Sequence, residues 1–300
     1  SFGMADGSHR SAWQSRSHSL LFFATRDLQM PIIERLADWP WFVGYVIAST
    51  VVFIWLRRHS STDNEAVQSG HPRSGFGAST ELGAIAASFF RLTCPRLLLA
   101  GLAAVWTIRL LVGQWSFWDA AVLLGVVGFW PVQEWVIHVF VLHLKPFRLF
   151  GRQIDPIIAR NHRNHHRNPW DPALGLTPPH IIWLYCCGLP GVWLPFLPVP
   201  LAITGVATYF SLVLNYEWIH YLIHTSYVPH GWFYKRLWLN HRLHHFKNEQ
   251  YWYGVTMLSG DWLLKTQPTP NETSRSQTCL TLGVASDDGA AGGGDLRKAG

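Results

Sequence analysis

The chain has 300 residues, of which 49% are hydrophobic and only 14% are charged, and its mean hydropathy is +0.10. Soluble domains carry about 25% charged residues, so this composition argues against both a disordered chain and a freely soluble globular protein. A formal net charge of +6 leaves a nucleic-acid-binding surface to be considered. The chain also has 16 histidines beside 18 acidic residues, a ratio that few folds need unless they bind metal ions.

The first third of the chain alternates between polar and apolar segments. Residues 1–40 are polar and are expected to be disordered. Residues 41–58 contain an apolar run closed by Arg57 and Arg58, which is just long enough to span a bilayer; a buried core helix is the alternative. Residues 59–92 are rich in Ser, Gly, Asn and Pro and are interpreted as a linker, with a short amphipathic surface helix over its last twelve residues.

Two long apolar runs follow. Residues 93–113 have an apolar middle with Arg96 and Arg109 near the ends, which predicts a second span whose arginines reach toward the membrane surfaces. Residues 116–144 form the longest run, which Pro131 interrupts. Both runs predict membrane-embedded helices.

The second half contains a further hydrophobic pair of segments and a polar end. Residues 180–197 and 200–219 are apolar and are separated by a proline-rich turn, which predicts a re-entrant or spanning hairpin. Residues 220–265 are polar and dense in His, Trp and Tyr, whereas residues 266–300 are expected to be a disordered tail. The sequence therefore predicts an all-α integral membrane protein with about four to five membrane-embedded helices.

Positive charges at the ends of the runs predict the orientation, because cytoplasmic segments carry an excess of Lys and Arg. Arg57 and Arg58 place the end of the first run in the cytoplasm, and Lys145 and Arg148 place the end of the third run there too. All the histidine-rich segments then lie on the cytoplasmic side. The same bias accounts for the basic net charge, so a nucleic-acid partner is not expected.

Ten histidines fall into four clusters with the spacings HxxxxH, HxxHH, HxxxH and HxxHH. The clusters are His138 and His143; His162, His165 and His166; His220 and His224; and His241, His244 and His245. At about 100° per residue, positions three and four apart share one helix face, so each of the last three clusters forms a stripe. The two histidines of the first cluster are five apart and converge only if the helix ends, bends or contains a π-bulge there.

Imidazole is the commonest protein ligand for zinc, copper and iron, and ten ligands are too many for one ion, so the clusters predict a dinuclear metal site. A closed zinc site usually includes Cys, and the four cysteines have no metal-ligand spacing. A carboxylate-bridged di-iron bundle needs paired Glu-x-x-His segments, of which only Glu217 to His220 is present. Four residues are interpreted as partners that orient the imidazole N–H groups: Glu134, Glu217, Asp171 and Asn248. The sequence does not identify the substrate-binding residues.

The cluster order resembles the fatty acid hydroxylase/sterol desaturase superfamily of integral-membrane di-iron enzymes, and the HxxxxH spacing is most similar to the lipid 2-hydroxylase branch. Two strings support the resemblance: Asn164-His-His-Arg-Asn-Pro-Trp-Asp171 and Asn240-His-Arg-Leu-His-His-Phe-Lys-Asn-Glu-Gln-Tyr-Trp-Tyr-Gly254. The resemblance covers roughly residues 117–265. It implies that residues 93–265 are the membrane catalytic domain, with a cytoplasmic histidine-rich helical cap that holds two iron ions.

The resemblance also implies an activity and its partners. The expected reaction is O2-dependent hydroxylation or desaturation of the aliphatic chain of a lipid, such as a fatty acid, sphingolipid or sterol, that enters from the bilayer. The electron donor would be external, such as cytochrome b5 or a ferredoxin with its reductase, and the compartment would be a bacterial inner membrane or the endoplasmic reticulum. Zinc is expected to replace iron readily in an isolated protein, because imidazole sites accept it.

Two alternatives from other functional classes stay open at this point. A di-zinc membrane hydrolase would use three protein ligands per ion and a nearby carboxylate base. A metal transporter would need polar ligands within the spans, whereas the clusters lie at or beyond the ends of the apolar runs. Bound iron and an O2-dependent product would distinguish the hydroxylase or desaturase from both.

Overall fold

A computed structural model describes residues 79–171, 174–184, 188 and 196–284, together with seven residues between 47 and 55. Its helices α1 to α8 are Leu82–Phe89, Thr93–Val112, Phe117–Ile137, Ile157–Arg167, Pro179–Trp183, Val199–Ile223, Trp232–Phe246 and Ser259–Leu263. A π-helical turn over His138–Leu142 continues α3, and a 3₁₀ turn covers Pro270–Glu272. Two short antiparallel strands, β1 (Phe147–Leu149) and β2 (Arg152–Ile154), pair Phe147 with Ile154. The described part of the chain is therefore mostly helical.

Three helices in the described residues are long and apolar enough to cross a membrane: α2, α3 with its π-helical turn, and α6. Their outer faces carry exposed apolar side chains such as Leu111 and Phe117, which are 82% and 78% exposed. Contiguous apolar surface of this kind is stable when lipid covers it. These three helices are candidate membrane spans and agree with three of the predicted apolar runs.

The total of four to five embedded helices stays a prediction. The run at 41–58 lies largely outside the described residues, although the described positions within it are helical. Only part of the run at 180–197 lies within the described residues, namely α5 with Leu184, then Gly188, and then Phe196 onward. The polar segment 1–40 and the linker before residue 79 also lie outside the described residues.

Close packing of α2 against α6 forms the main apolar core. Leu98 of α2 and Trp130 of α3 pack with Tyr209 and Phe210 of α6. At Gly101 an added Cβ would lie 2.5 Å from the Phe210 ring, so any side chain there would force the ring or the helices to shift. Small residues serve the same purpose wherever membrane helices pack tightly.

Arg109 corrects one prediction, because its side chain is 0% exposed and does not reach a membrane surface. Its guanidinium forms an ion pair with Asp119 at 2.5 Å and donates a second hydrogen bond to Thr204 Oγ1 at 2.6 Å. The Thr204 hydroxyl in turn donates to Asp119 at 2.6 Å. A guanidinium stays charged when it is buried, so the carboxylate of Asp119 offsets the cost of removing it from solvent. This pairing ties α2, α3 and α6 together at the ends away from the histidines.

Pro131 does not end α3, which continues through it to Ile137. Helix α8 packs directly on this part of α3, because a Cβ at Gly260 would lie 2.3 Å from the carbonyl oxygen of Pro131. The loop before α8 is thereby held beside the C-terminal end of α3. This end carries the first histidine cluster.

The chain end is more ordered than its composition predicts. Residues 266–284 are described and pack on the rest of the protein, with Cys279 and Leu282 buried. The amide of Ser276 donates to the carbonyl of Lys247 at 2.8 Å. The predicted disorder of residues 266–300 is therefore wrong up to residue 284, because contacts with distant segments outweigh local composition; residues 285–300 lie outside the described residues.

Helix α1 confirms the predicted amphipathic helix at the end of the linker. Its residues Ile85 and Phe89 are buried against Tyr221 and Leu222 of α6. The opposite side of the helix is exposed. The helix therefore covers the histidine-bearing end of α6.

Candidate metal centre

The structure brings all ten cluster histidines together at the ends of α3, α4, α6 and α7. They form two groups of five, and within each group one ring nitrogen per histidine lies within 4.8 Å of the others. The first group contains His138, His143, His162, His166 and His244. The second group contains His165, His220, His224, His241 and His245. Two such groups match the number of ions that the ligand count predicts.

Each HxxHH stripe is divided between the two groups. On α4, His162 and His166 belong to the first group and His165 to the second. On α7, His244 belongs to the first group, and His241 and His245 belong to the second. Helices α4 and α7 therefore lie between the groups and contribute to both. The rings of His166 and His245 stack at 4.0 Å where the groups meet. Two ions held by these groups would be close neighbours.

The first cluster converges through the π-helical turn, one of the three distortions that its spacing allows. The amide of His143 donates to the carbonyl of His138, five residues earlier, at 3.1 Å. The ring centroids of the two residues are 5.0 Å apart. The wider turn thus places both imidazoles in one group, as an ideal α-helix would not.

Main-chain carbonyls fix the orientation of four imidazoles. In each case the ring Nδ1 bonds to one main-chain carbonyl oxygen at 2.7–3.0 Å. The pairs are His138 with Tyr253, His166 with Cys279, His220 with Gly175, and His244 with Tyr251. A carbonyl oxygen only accepts, so each Nδ1 carries the proton and each Nε2 keeps a lone pair. This arrangement is typical of histidines that bind metals through Nε2.

Several buried ring nitrogens have no hydrogen-bond partner among the described residues, including Nε2 of His138, His143, His220 and His244. Buried polar atoms are almost always satisfied, so a group of orphaned imidazole nitrogens that point at one another needs an electrophile between them. A divalent transition-metal ion supplies one. The donor set of these residues therefore fits a metal centre.

Burial lowers the pKa of His166 to about 3. Burial, together with neighbouring imidazoles, also holds the pKa well below its ordinary value in His143, His162, His165, His224, His241, His244 and His245. These imidazoles are neutral at physiological pH. Neutral imidazole is the form that binds metal ions.

The two glutamates predicted to orient imidazoles act through loops instead. Glu134 accepts hydrogen bonds from the amide and the hydroxyl of Thr256 at 2.9 and 2.5 Å, and Glu217 accepts one from the amide of Thr177 at 3.2 Å. The first loop carries the carbonyl of Tyr253 and the second that of Gly175. Because these carbonyls already take the Nδ1–H groups, the carboxylates hold the loops rather than the rings.

The remaining predicted partners lie in connecting loops. Asn248, after α7, donates to the carbonyl of Ser274 at 3.2 Å and accepts from the amide of Gln250 at 3.0 Å. Asp171 lies half-buried after α4, and its amide donates to the carbonyl of Asn168 at 3.2 Å. Asn248 therefore shapes the loop that follows the fourth histidine cluster rather than contacting an imidazole in these hydrogen bonds.

Asp261 is a functional residue that the sequence reading missed. Its buried carboxylate accepts from the amides of Tyr253 and Gly254 at 2.9 and 2.7 Å and from the hydroxyl of Thr266 at 2.7 Å. These bonds shape the loop whose Tyr253 carbonyl orients His138. The available signal was a lone acidic residue within the apolar stretch 257–264.

A partly open cavity with a mostly apolar lining lies between α3 and α6. Its walls include Ile137, Ile182 and Val213, and Glu134 and Glu217 also line it. These glutamates stand four and three residues before His138 and His220, so this part of the cavity adjoins both histidine groups. The sequence did not reveal this cavity.

A family model for fatty acid hydroxylases matches residues 122–266, which contain all ten cluster histidines. By this match, residues 122–266 are similar to a fatty acid hydroxylase domain. This match confirms the family resemblance that the histidine spacing predicts. The match ends at Thr266, so the ordered segment that follows the hydroxylase domain lies beyond it.

One similar solved structure is full-length Scs7p, of which only the hydroxylase domain is visible. The two chains are 22% identical and superpose with a TM-score of 0.52, and the alignment covers 63% of this chain and 69% of the other. This likeness supports the fold of the hydroxylase domain. No curated protein matches the chain.

Proposed function

We propose that the hydroxylase domain is a membrane-bound, O2-dependent oxidoreductase that uses two iron ions to hydroxylate an aliphatic carbon of a lipid. One observation carries this proposal: two groups of five histidines adjoin an apolar cavity between two helices that are long and apolar enough to cross a membrane. The catalytic face would be cytoplasmic, and the lipid would enter the cavity from the bilayer.

The first group would hold one iron ion and the second group the other. When bound, the irons would supply O2 activation, a chemistry that protein side chains lack. The reaction consumes one C–H bond, one O2, two electrons and two protons, and it yields one alcohol and one water. The electrons would come from an external donor such as cytochrome b5 or a ferredoxin with its reductase.

The chain's own residues would position the substrate and keep water away from it. Ile137, Ile182 and Val213 would contact the aliphatic chain, since they line the apolar part of the cavity. The carbonyls of Tyr253 and Gly175 would keep the imidazoles of His138 and His220 turned toward the ions. Rigid ligands and a dry cavity would direct attack to one carbon of the bound chain.

Lipid analysis of a host with and without the protein, grown under isotopically labelled O2, tests the proposal. We expect a lipid that carries one labelled hydroxyl group and that depends on His143. An unsaturated product without label would instead assign desaturation. A product formed without O2 by a zinc-loaded protein would contradict the proposal and favour a hydrolase.

Metal content gives a separate test. Anaerobic purification followed by elemental analysis should find two ions per chain. One ion, or none, would contradict the assignment of two histidine groups as two metal sites. Uptake of labelled iron or zinc into reconstituted vesicles would favour a transporter.

A further inference from the structure

The ordered residues 274–284, here named the C-terminal strap, touch the metal centre although they lie beyond the family match. The carbonyl of Cys279 accepts the Nδ1–H of His166 at 2.8 Å. His166 is buried, and its Nε2 lies 3.1 Å from Nε2 of His162 in the same group. The strap thus orients one imidazole of the first group directly.

The strap also contacts the chain just after three of the four histidine clusters. Lys145 packs against Gly283 so closely that a Cβ added to this glycine would lie 2.9 Å from Lys145 Nζ. The guanidinium of Arg167 donates to the carbonyl of Val284 at 3.4 Å. The amide of Ser276 donates to the carbonyl of Lys247 at 2.8 Å. These three clusters supply all five histidines of the first group.

A buried glutamate anchors the strap. Glu249 is 5% exposed, and its Oε1 accepts from the hydroxyls of Ser276 and Thr278 at 3.0 and 2.5 Å. The thiol of Cys279 donates to the carbonyl of Ser276 at 3.5 Å, within the strap itself. Glu249 stands four residues after His245, in the turn that follows α7, so the anchor lies close in sequence to the metal centre. Charge-assisted hydrogen bonds of this kind are stronger than neutral ones.

We propose that the strap is a clamp that holds the first histidine group in its ligand geometry, and that Glu249 is the positioning residue that keeps the clamp closed. The inference rests on the proposed function, because it assumes that both groups bind metal ions. Without the Cys279 carbonyl, the buried Nδ1–H of His166 loses the acceptor that fixes its tautomer. Loss of a hydrogen bond to the far nitrogen of a metal-binding histidine lowers metal affinity by about 10–100-fold.

The effect is selective for one ion. His166 belongs to the first group, whereas the second group is oriented by other segments, such as the Gly175 carbonyl. Opening the strap should therefore weaken binding of the ion in the first group and leave binding of the ion in the second group unchanged. Global unfolding would release both.

The test uses the full-length protein loaded with Zn²⁺, with the release of each ion to a chelator followed over time. The wild type should release two ions slowly. Glu249→Ala should release one ion about 10–100-fold faster and the other at the wild-type rate. Glu249→Gln keeps an oxygen that accepts from Ser276 and Thr278 and should restore most of the slow release. Glu272→Ala removes an exposed carboxylate near the strap and serves as the control that should not differ from wild type.

A second variant covers the case in which Glu249→Ala does not fold. Ser276→Ala combined with Thr278→Val removes the two hydroxyl donors and leaves the carboxylate, and it should accelerate release of the same single ion. Alkylation of Cys279, located by mass spectrometry, should become faster in parallel.

Three results would decide against a proposal. Unchanged release in both variants, or equal acceleration of both ions, would overturn the clamp. A wild-type protein that binds fewer than two ions would overturn the proposed function instead.

Discussion

The main-chain amide of His143 donates to the carbonyl of His138 across five residues, at 3.1 Å. The π-helical turn that this bond closes lies at the C-terminal end of α3 and places both rings in the first histidine group. One additional residue in this turn therefore brings two histidines that are five residues apart to the same side of the helix.

Replacing one metal-binding histidine should abolish binding of one ion without affecting membrane insertion. His143→Ala and His166→Ala should each lose the ion of the first group, and His245→Ala that of the second. Lipid oxidation should fall by more than about 100-fold in each case, because both ions take part. Insertion depends on the apolar helices, which these changes leave intact. Elemental analysis, membrane fractionation and product analysis measure the three quantities.

His230→Ala is the matched control, since His230 is exposed and belongs to neither group. It should keep both ions and full activity. Full activity in any of the three ligand variants would remove that histidine from the site.

Asp261→Ala should destabilise the loop that supports His138. The change leaves the amides of Tyr253 and Gly254 buried without their acceptor, and each such loss costs about 1–3 kcal/mol. We expect the free energy of unfolding to fall by roughly 2–4 kcal/mol, seen as a lower Tm in a detergent-solubilised thermal melt. A Tm equal to that of the Glu272→Ala protein would show that the loop does not depend on this carboxylate.

The buried pair of Arg109 and Asp119 should matter for stability and not for chemistry. Asp119→Leu leaves an unpaired buried cation, which costs about 3–5 kcal/mol. Combining it with Arg109→Met removes both charges and should recover most of this loss. Thermal melts of the two single variants and the double variant measure the coupling. A double variant as unstable as Asp119→Leu alone would contradict the assignment of the pair as a compensated charge.

Narrowing the cavity should impair turnover while leaving the metal content unchanged. Val213→Trp places a large ring in the proposed path of the aliphatic chain, and we expect product formation to fall by at least roughly tenfold. Leu111→Trp, on the exposed face of α2, controls for the added bulk. Equal turnover in the two variants would exclude this cavity as the substrate path.

Topology can be tested with single cysteines in a background that lacks the native ones. Arg148→Cys and Gln250→Cys are exposed on the histidine side, and Gln114→Cys lies in the turn between α2 and α3. An impermeant thiol reagent should label the first two only after the cytoplasmic face is opened, and the third from the other face. Labelling of all three from one face would contradict the proposed orientation.

The histidine spacing determined much of this protein by itself. Side chains three or four residues apart share a helix face whatever the helix packs against, so the three stripes of α4, α6 and α7 followed from local geometry. The five-residue spacing of His138 and His143 likewise required a distortion of α3. Apolar length predicted the spans in the same local way.

Only the tertiary structure decided how those stripes are used. The division of each HxxHH stripe between two groups depends on how α4 packs against the π-helical turn of α3 and how α7 packs against α6. The acceptor of His166 lies 113 residues away, at Cys279, in a segment whose composition predicted disorder. Arg109 is buried because Asp119 faces it from another helix. Such outcomes depend on contacts between segments far apart in the chain, and local composition and periodicity carry no information about which distant group will meet a given side chain.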